Sequence, residues 1–303
     1  MGSTATAGPE AALVVASYGR RYLLRFEADG AERPAVSRGK RTEACVGDHV
    51  AASRLGVDQA VIERIEPRRN LLQRSDRYRS KALAANVDLA AIVVAGEPHY
   101  SEELLVRLML AIEAASIALL VIANKTDLGA AHQRIGPRLE LLRSLGYPVA
   151  EIAAQPDPAG TVATLRPWLA DSTTVLLGES GMGKSSLVNA LAPEVEQATR
   201  AISTALGTGR HTTTFSRLFD LDAAIAPNAK IIDSPGFQTF GLAHLSASQR
   251  VHAMAEFGPL IGNCRFHSCT HRTEPGCAIR AAAEAGDIDP LRYRLFTELH
   301  ERD

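Results

Sequence analysis

A chain of 303 residues, 46% hydrophobic and 22% charged, is long enough to bury more than one core and too apolar to be a disordered chain. Its formal net charge of −1 conceals an asymmetry, because residues 1–82 hold 15 Lys and Arg against 10 Asp and Glu while the remainder holds 18 against 24; one end is basic. Four cysteines are too few for a disulfide scaffold of this length, which predicts a reducing, cytoplasmic setting, and Arg107 and Glu113 interrupt the apolar stretch 104–123, which excludes a membrane span there.

Residues 1–10 read as a small, polar, disordered tail. Residues 11–68 follow with β-type runs at 13–17, 22–26, 46–52 and 61–65, separated by Tyr18-Gly19, Asp29-Gly30, Gly47-Asp48 and Gly56. That spacing predicts a small all-β barrel. An oligonucleotide-binding barrel is the common answer, with Arg20, Arg21, Arg25, Arg38, Lys40 and Arg41 supplying charge; an SH3-like spacer barrel is the alternative. Residues 69–82 read as a basic linker. Arg64, Arg68, Arg69, Arg74, Arg77, Arg79 and Lys81 crowd this part of the chain around Tyr78, either as a footprint for a phosphate backbone or as a solvated connection.

Between 83 and 245 strands and helices alternate, the signature of a parallel sheet covered on both faces. Strands are predicted at 89–95, 117–123, 149–154, 173–177, 215–219 and 230–232, and helices at 101–114, 130–145 and 159–169, with Ser101 as an N-cap. From 246 to 303 the pattern is mainly helical, interrupted by a cysteine cluster.

Asn124-Lys125-Thr126-Asp127 ends a predicted strand, which is the ligand edge of such a sheet. It fits N-K-x-D. A carboxylate at Asp127 accepts from N1–H and the exocyclic amine of guanine, whereas adenine offers no such pair; Asn124 suits the purine N7 side, and the Lys125 stem suits the ring face. Gly178-Glu179-Ser180-Gly181-Met182-Gly183-Lys184-Ser185-Ser186 fits G-x-x-x-x-G-K-[ST] between a strand and a helix, so its backbone N–H groups face a phosphate, Lys184 reaches the outer phosphates and the Ser185 hydroxyl faces Mg²⁺. The two motifs together select GTP and GDP over ATP, which opposes an ATP-dependent kinase of the same loop class. In Gly209-Arg210-His211-Thr212-Thr213-Thr214 a threonine, Thr213 by preference, closes over Mg²⁺ and the γ-phosphate. In Asp233-Ser234-Pro235-Gly236, Asp233 holds Mg²⁺ through a water and the Gly236 amide meets the γ-phosphate.

N-K-x-D precedes the phosphate loop and both switches, the reverse of the ordinary order, so the central domain is circularly permuted. Cys264, Cys269, His271 and Cys277 follow as C-x₄-C-x-H-x₅-C, three thiolates and one imidazole for a closed structural Zn²⁺ site. His267, the competing imidazole, is read as a surface residue or RNA contact, and Cys45 as an inert thiol.

The permuted order, the barrel, Gly-Arg-His-Thr-Thr at 209–213, Asp-Ser-Pro-Gly-Phe at 233–237 and the cysteine spacing together resemble the bacterial ribosome small-subunit-dependent GTPases, the RsgA/YjeQ family, over residues 11–300. The resemblance implies a GTPase that binds the small (30S) ribosomal subunit late in its maturation, contacts 16S rRNA through the barrel and the zinc domain, and leaves upon hydrolysis. An RNA-binding assembly module with GTP as a structural ligand is the rival. One departure is Ala153-Ala154-Gln155, where the family carries a Ser-Ala type base contact. Phe237 follows Gly236 where Ras-like enzymes place the glutamine that orients water, so turnover is expected to be slow alone; His211 is the residue expected to orient water once a partner is bound. A monomer is expected, since no heptad run argues for assembly.

Overall fold

The structure is a computed structural model that describes residues 8–39, 43–56, 58–76, 78–193 and 215–302. Five strands form the N-terminal barrel: β1 (Glu10–Tyr18), β2 (Arg21–Phe26), β3 (Glu32–Ser37), β4 (His49–Leu55) and β5 (Gln59–Ile65). Period-two alternation turns Ala12, Val14, Leu24, Phe26 and Ile62 inward, all with no exposed surface. The order is β1-β2-β3-β5-β4, with β4 pairing back onto β1 and β3 running parallel to β5. This closed circuit is the barrel predicted from the turn spacing, with one more strand than the four apolar runs suggested. β3 was hidden by Glu32, Arg33 and Pro34; the proline is tolerated because pairing with β5 begins only at Ala35.

Residues 69–82, expected as a linker, contain most of a hairpin. β6 (Leu71–Ser75) and β7 (Ser80–Ala85) form their own two-stranded sheet. Its arginines and lysine mask a buried face on which Leu72, Ala84 and Ala85 have no exposed surface.

The central sheet runs β10-β9-β8-β11-β13-β12, and every neighbouring pair is parallel except β12 with β13. In chain order the elements are β8 (Leu89–Ala95), α1 (Glu102–Ala114), β9 (Ala118–Asn124), α2 (Gly129–Ser144), β10 (Val149–Glu151), α3 (Pro158–Leu169), β11 (Thr173–Leu177), α4 (Lys184–Leu191), β12 (Ser216–Asp220) and β13 (Lys230–Asp233). β8 is buried along its whole length, as a strand covered on both faces must be. β12 also meets the barrel: Ala16 pairs with Arg217 and Ser17 with Ser216, so barrel and central sheet form one eleven-stranded sheet. An Arg25–Asp220 ion pair braces this seam.

Beyond the sheet lie α5 (Ala247–His252), a 3₁₀ turn (Ala255–Leu260), α6 (Ala278–Ala285) and α7 (Pro290–Arg302). Phe257 and Phe296 meet edge to face at 4.9 Å, and the Arg292 guanidinium is buried against the Glu256 carboxylate. Among the described residues no helix is long and apolar enough to cross a membrane.

Candidate functional site

β11 occupies the centre of the sheet, between β8 and β13, and its C-terminal end delivers the loop 178–186 into α4. No side chain caps α4, which suits a helix N-terminus that receives an anion. The Lys184 ammonium donates to the carbonyls of Gly178 (2.9 Å) and Glu179 (2.8 Å) and is held below the usual lysine range by burial, against the pull of Asp233 and Glu179. Burial pushes the Asp233 carboxyl up to about 6, while Lys184 and the Ser234 N–H pull it back. A carboxylate at Asp233 and the exposed hydroxyl of Ser185 are oxygen donors of the kind Mg²⁺ takes.

The second switch lies directly on the phosphate loop. Phe237 N–H donates to the Gly178 carbonyl at 3.2 Å, and a Cβ on Gly236 would stand 3.0 Å from the Ser180 nitrogen and 3.3 Å from Lys184 Nζ. A side chain there would crowd the loop, so glycine suits the close approach. The Phe237 ring is buried against Phe240, with the Arg74 guanidinium 5.6 Å from its centroid.

N-K-x-D starts at the end of β9. Asn124 is more occupied than its sequence role suggests: Nδ2 donates to the Met182 carbonyl at 3.1 Å, and Oδ1 accepts from Ala154 N–H at 3.1 Å. It ties the end of β9 to the phosphate loop and to the stretch that follows β10. Lys125 adopts a left-handed backbone and its ammonium bonds the carbonyls of Glu97 and Gly181, laying its stem across the loop. Thr126 N–H donates to Ile152 O, and the Asp127 carboxylate is exposed. The altered stretch Ala153-Ala154-Gln155 thus keeps its position through the Ala154 backbone. His211 and Thr213, with all of 209–214, lie outside the described residues, as do Lys40, Arg41 and Arg77.

Cys264, Cys269, His271 and Cys277 converge so that their ligand atoms all lie within 4.8 Å of one another. His271 presents Nδ1, 3.4 Å from Cys264 Sγ and 3.6 Å from Cys277 Sγ, and those two sulfurs are 3.9 Å apart. Tetrahedral Zn²⁺ with its usual bond lengths demands S···N edges of about 3.5 Å and S···S edges of about 3.8 Å. Those three edges fit. Cys277 caps α6 and accepts from Arg280 N–H, and Tyr293 holds the His271 carbonyl at 2.8 Å. His267 is exposed and outside the cluster.

Sequence reasoning missed two linkers of this site. The Glu179 carboxylate accepts from Ser101 N–H at 2.8 Å, joining the phosphate loop to the start of α1, and Arg74 reaches the second switch from the hairpin. Neither has a local signal, since each joins residues far apart in the chain.

A family model described as RsgA GTPase matches residues 65–243. The chain belongs to the RsgA GTPase family. A relative from Paraburkholderia xenovorans strain LB400, named small ribosomal subunit biogenesis GTPase RsgA, is 50% identical over 291 residues, covering 95% of this chain and 92% of its own length. Another of that name, from Ralstonia pickettii strain 12J, is 45% identical over 295 residues, covering 97% and 93%. The crystal structure of YjeQ from Thermotoga maritima matches with a TM-score of 0.71 at 26% identity, over 96% of this chain and 98% of that one. The structure of YloQ, titled a circularly permuted GTPase, matches with a TM-score of 0.67 at 23% identity over 100% of this chain and 99% of its own, a likeness of fold. Membership of the RsgA family and these folds accord with the order seen here, in which the strand bearing N-K-x-D comes before the phosphate-loop strand yet lies two places from it in the sheet.

Proposed function

We propose that this protein hydrolyses GTP to GDP and phosphate while bound to the small (30S) ribosomal subunit, acts late in that subunit's maturation, and leaves on hydrolysis. The observation that carries the nucleotide half is the Asn124–Met182 bond, which brings the Asp127 edge and the phosphate loop to one site. Asp127 pairs the guanine edge, the N–H groups of 178–186 and the Lys184 ammonium meet the phosphates, and Gly236 N–H meets the γ-phosphate. Ser185, Thr213 and, through a water, Asp233 would hold Mg²⁺, which would supply charge neutralisation at the transferred phosphoryl group. Phe237 is buried and cannot orient water, so His211 has that role. Cys264, Cys269, His271 and Cys277 hold one structural Zn²⁺.

The ribosomal half is supported by the names of the relatives and by the excess of Lys and Arg over Asp and Glu in residues 1–82, which suits 16S rRNA. The protein acts as a monomer in the cytoplasm. The test is the hydrolysis rate against titrated small subunits, repeated at raised salt. Acceleration that weakens steeply with salt supports the reading; an unchanged rate favours the rival in which GTP is only a structural ligand.

A further inference from the structure

A cavity of about 930 Å³ opens where β1, β2, the β6–β7 hairpin and the second switch meet. Its lining includes three cations, Arg21, Arg74 and Lys81, and no Asp or Glu. Several arginines elsewhere on the barrel and its connection to the hairpin are ion-paired: Arg25 with Glu32 and Asp220, Arg38 with Glu63, Arg54 with Glu10 and Asp29, Arg68 with Asp48. The three cations of the cavity form no ion pair among the described residues. Arg74 and Lys81 are moreover direct cross-strand partners in the hairpin, an arrangement that costs stability unless an anion relieves it.

The remaining lining matters as much. Tyr18 and Phe215 stand with ring centroids 4.6 Å apart at 45°, giving the cavity an aromatic wall, and Pro235, Gly236 and Phe237 close another side. Unpaired cations beside an aromatic wall match a phosphodiester joined to an unstacked base. The volume suits a ligand of that size, since small-molecule pockets run from about 300 to 1,000 Å³. A duplex keeps its bases stacked inside and cannot place one against Tyr18.

We propose that this cavity takes a nucleotide of unpaired RNA, its phosphate among Arg21, Arg74 and Lys81 and its base against Tyr18 and Phe215. The proposal rests on the ribosomal reading above and extends it to a mechanism of stimulation. Gly236 belongs to the cavity on one side and approaches Ser180 and Lys184 on the other, so an occupant touches the switch that meets the γ-phosphate.

The test uses the full chain with GDP and a labelled short single-stranded RNA, the same strand in a duplex, and free AMP as probes. In Arg21→Gln/Lys81→Gln the slope of log affinity against log salt for the single strand falls by about 1.4, two cations at about 0.7 each. Tyr18→Ala loses about tenfold in affinity for the single strand and nothing for the duplex, while Tyr18→Phe retains binding. GTP affinity of the Arg21/Lys81 variant stays at the wild-type value, which shows that it is folded. Single-strand affinity unchanged in Tyr18→Ala, equal losses on the duplex, or AMP binding as tightly as the strand each overturns the proposal. Hydrolysis separates the two readings. If small subunits fail to accelerate the wild type, the ribosomal reading falls; if they accelerate wild type and the Arg21/Lys81 variant alike, only the cavity does.

Discussion

The carbonyl oxygen of Ser75 occupies the place a side chain on Gly241 would need: a Cβ there would stand 2.1 Å from it, and Ser75 N–H donates to the Gly241 carbonyl at 3.0 Å. The Ser75 hydroxyl also bonds His244, through both its ring Nδ1 and its backbone N–H. The hairpin is thereby fastened to the segment that leaves the second switch. Gly241→Ala forces backbone apart from backbone and is expected to destabilise the chain by about 1–3 kcal/mol. Chemical denaturation against wild type checks this; a change within error would mean that the two segments separate freely.

Nucleotide selectivity should follow the carboxylate at 127. Asp127→Asn replaces one acceptor with a donor, so guanine loses a bond and leaves its exocyclic amine facing another N–H, whereas xanthine, with a carbonyl there, gains a partner. The expected outcome is a fall in GTP affinity of about 100-fold or more with a reciprocal gain for xanthosine triphosphate. Titration of both nucleotides with the variant measures it, and undiminished GTP binding would remove Asp127 from the guanine site.

The barrel carries its own pH signature. The Arg54 guanidinium, helped by Ala31 N–H, holds the Asp29 carboxyl down at about 2, and the same guanidinium stacks 4.1 Å from the Phe26 ring centroid. A carboxylate whose pKa is lower in the folded than in the unfolded state stabilises above the unfolded value, near 4, and loses that contribution as pH falls through the folded one. Thermal unfolding of wild type and Asp29→Asn should therefore differ at pH 6 and converge near pH 2. A gap that persists to the lowest pH would assign the difference to packing.

What the sequence made legible was whatever repeats locally or carries chemistry at fixed spacing. β11 ends where predicted, at Leu177, because an apolar β-branched run abuts a glycine-rich loop, and Ser101 caps α1 as expected, by accepting from Leu104 N–H. β3 was not legible, since Pro34 and two charges erased its alternation. The hairpin failed for a related reason, its basic residues outweighing the short buried run at 83–85. The pairing of β1 with β12 left no trace, because it joins residues some 200 positions apart through backbone alone. Asn124 shows the same limit at a single residue: its motif announces a base contact, but its bonds to Met182 and Ala154 depend on tertiary structure.

Hydrolysis on the ribosome should depend on His211 more than affinity does. Phe237 is packed against Phe240 and carries no group able to hold water, which leaves the histidine next in sequence to the switch threonines for that role. His211→Ala is expected to keep GTP affinity and lose about 100-fold or more of small-subunit-stimulated turnover. Stimulated turnover at the wild-type rate would exclude the residue from the reaction.

The cysteine cluster should matter to binding rather than to chemistry, because a continuous set of contacts leads to it from the second switch. Arg250 donates to the carbonyl of Leu242, just beyond the switch, at 3.1 Å and to that of Leu299 in α7 at 2.9 Å. From α7, Tyr293 donates to the carbonyl of His271, a residue of the cluster. Loss of a metal held there would free four ligands from one geometry and loosen the far end of that path, whereas Lys184 and the phosphate loop meet only its near end, at Gly236 and Phe237. Cys269→Ser is therefore expected to lower bound zinc from one per chain toward none, to leave GTP affinity within about twofold of wild type, as for additive, distant sites, and to abolish the GTP-dependent gain in small-subunit binding. Metal analysis, nucleotide titration and co-sedimentation with small subunits give the three readings. Tyr293→Phe keeps all four ligands and deletes only the hydroxyl bond; it should retain zinc and lose part of the GTP-dependent gain. If Cys269→Ser lost its zinc and still bound small subunits in a GTP-dependent manner, the path from Gly236 to the cluster would carry no signal.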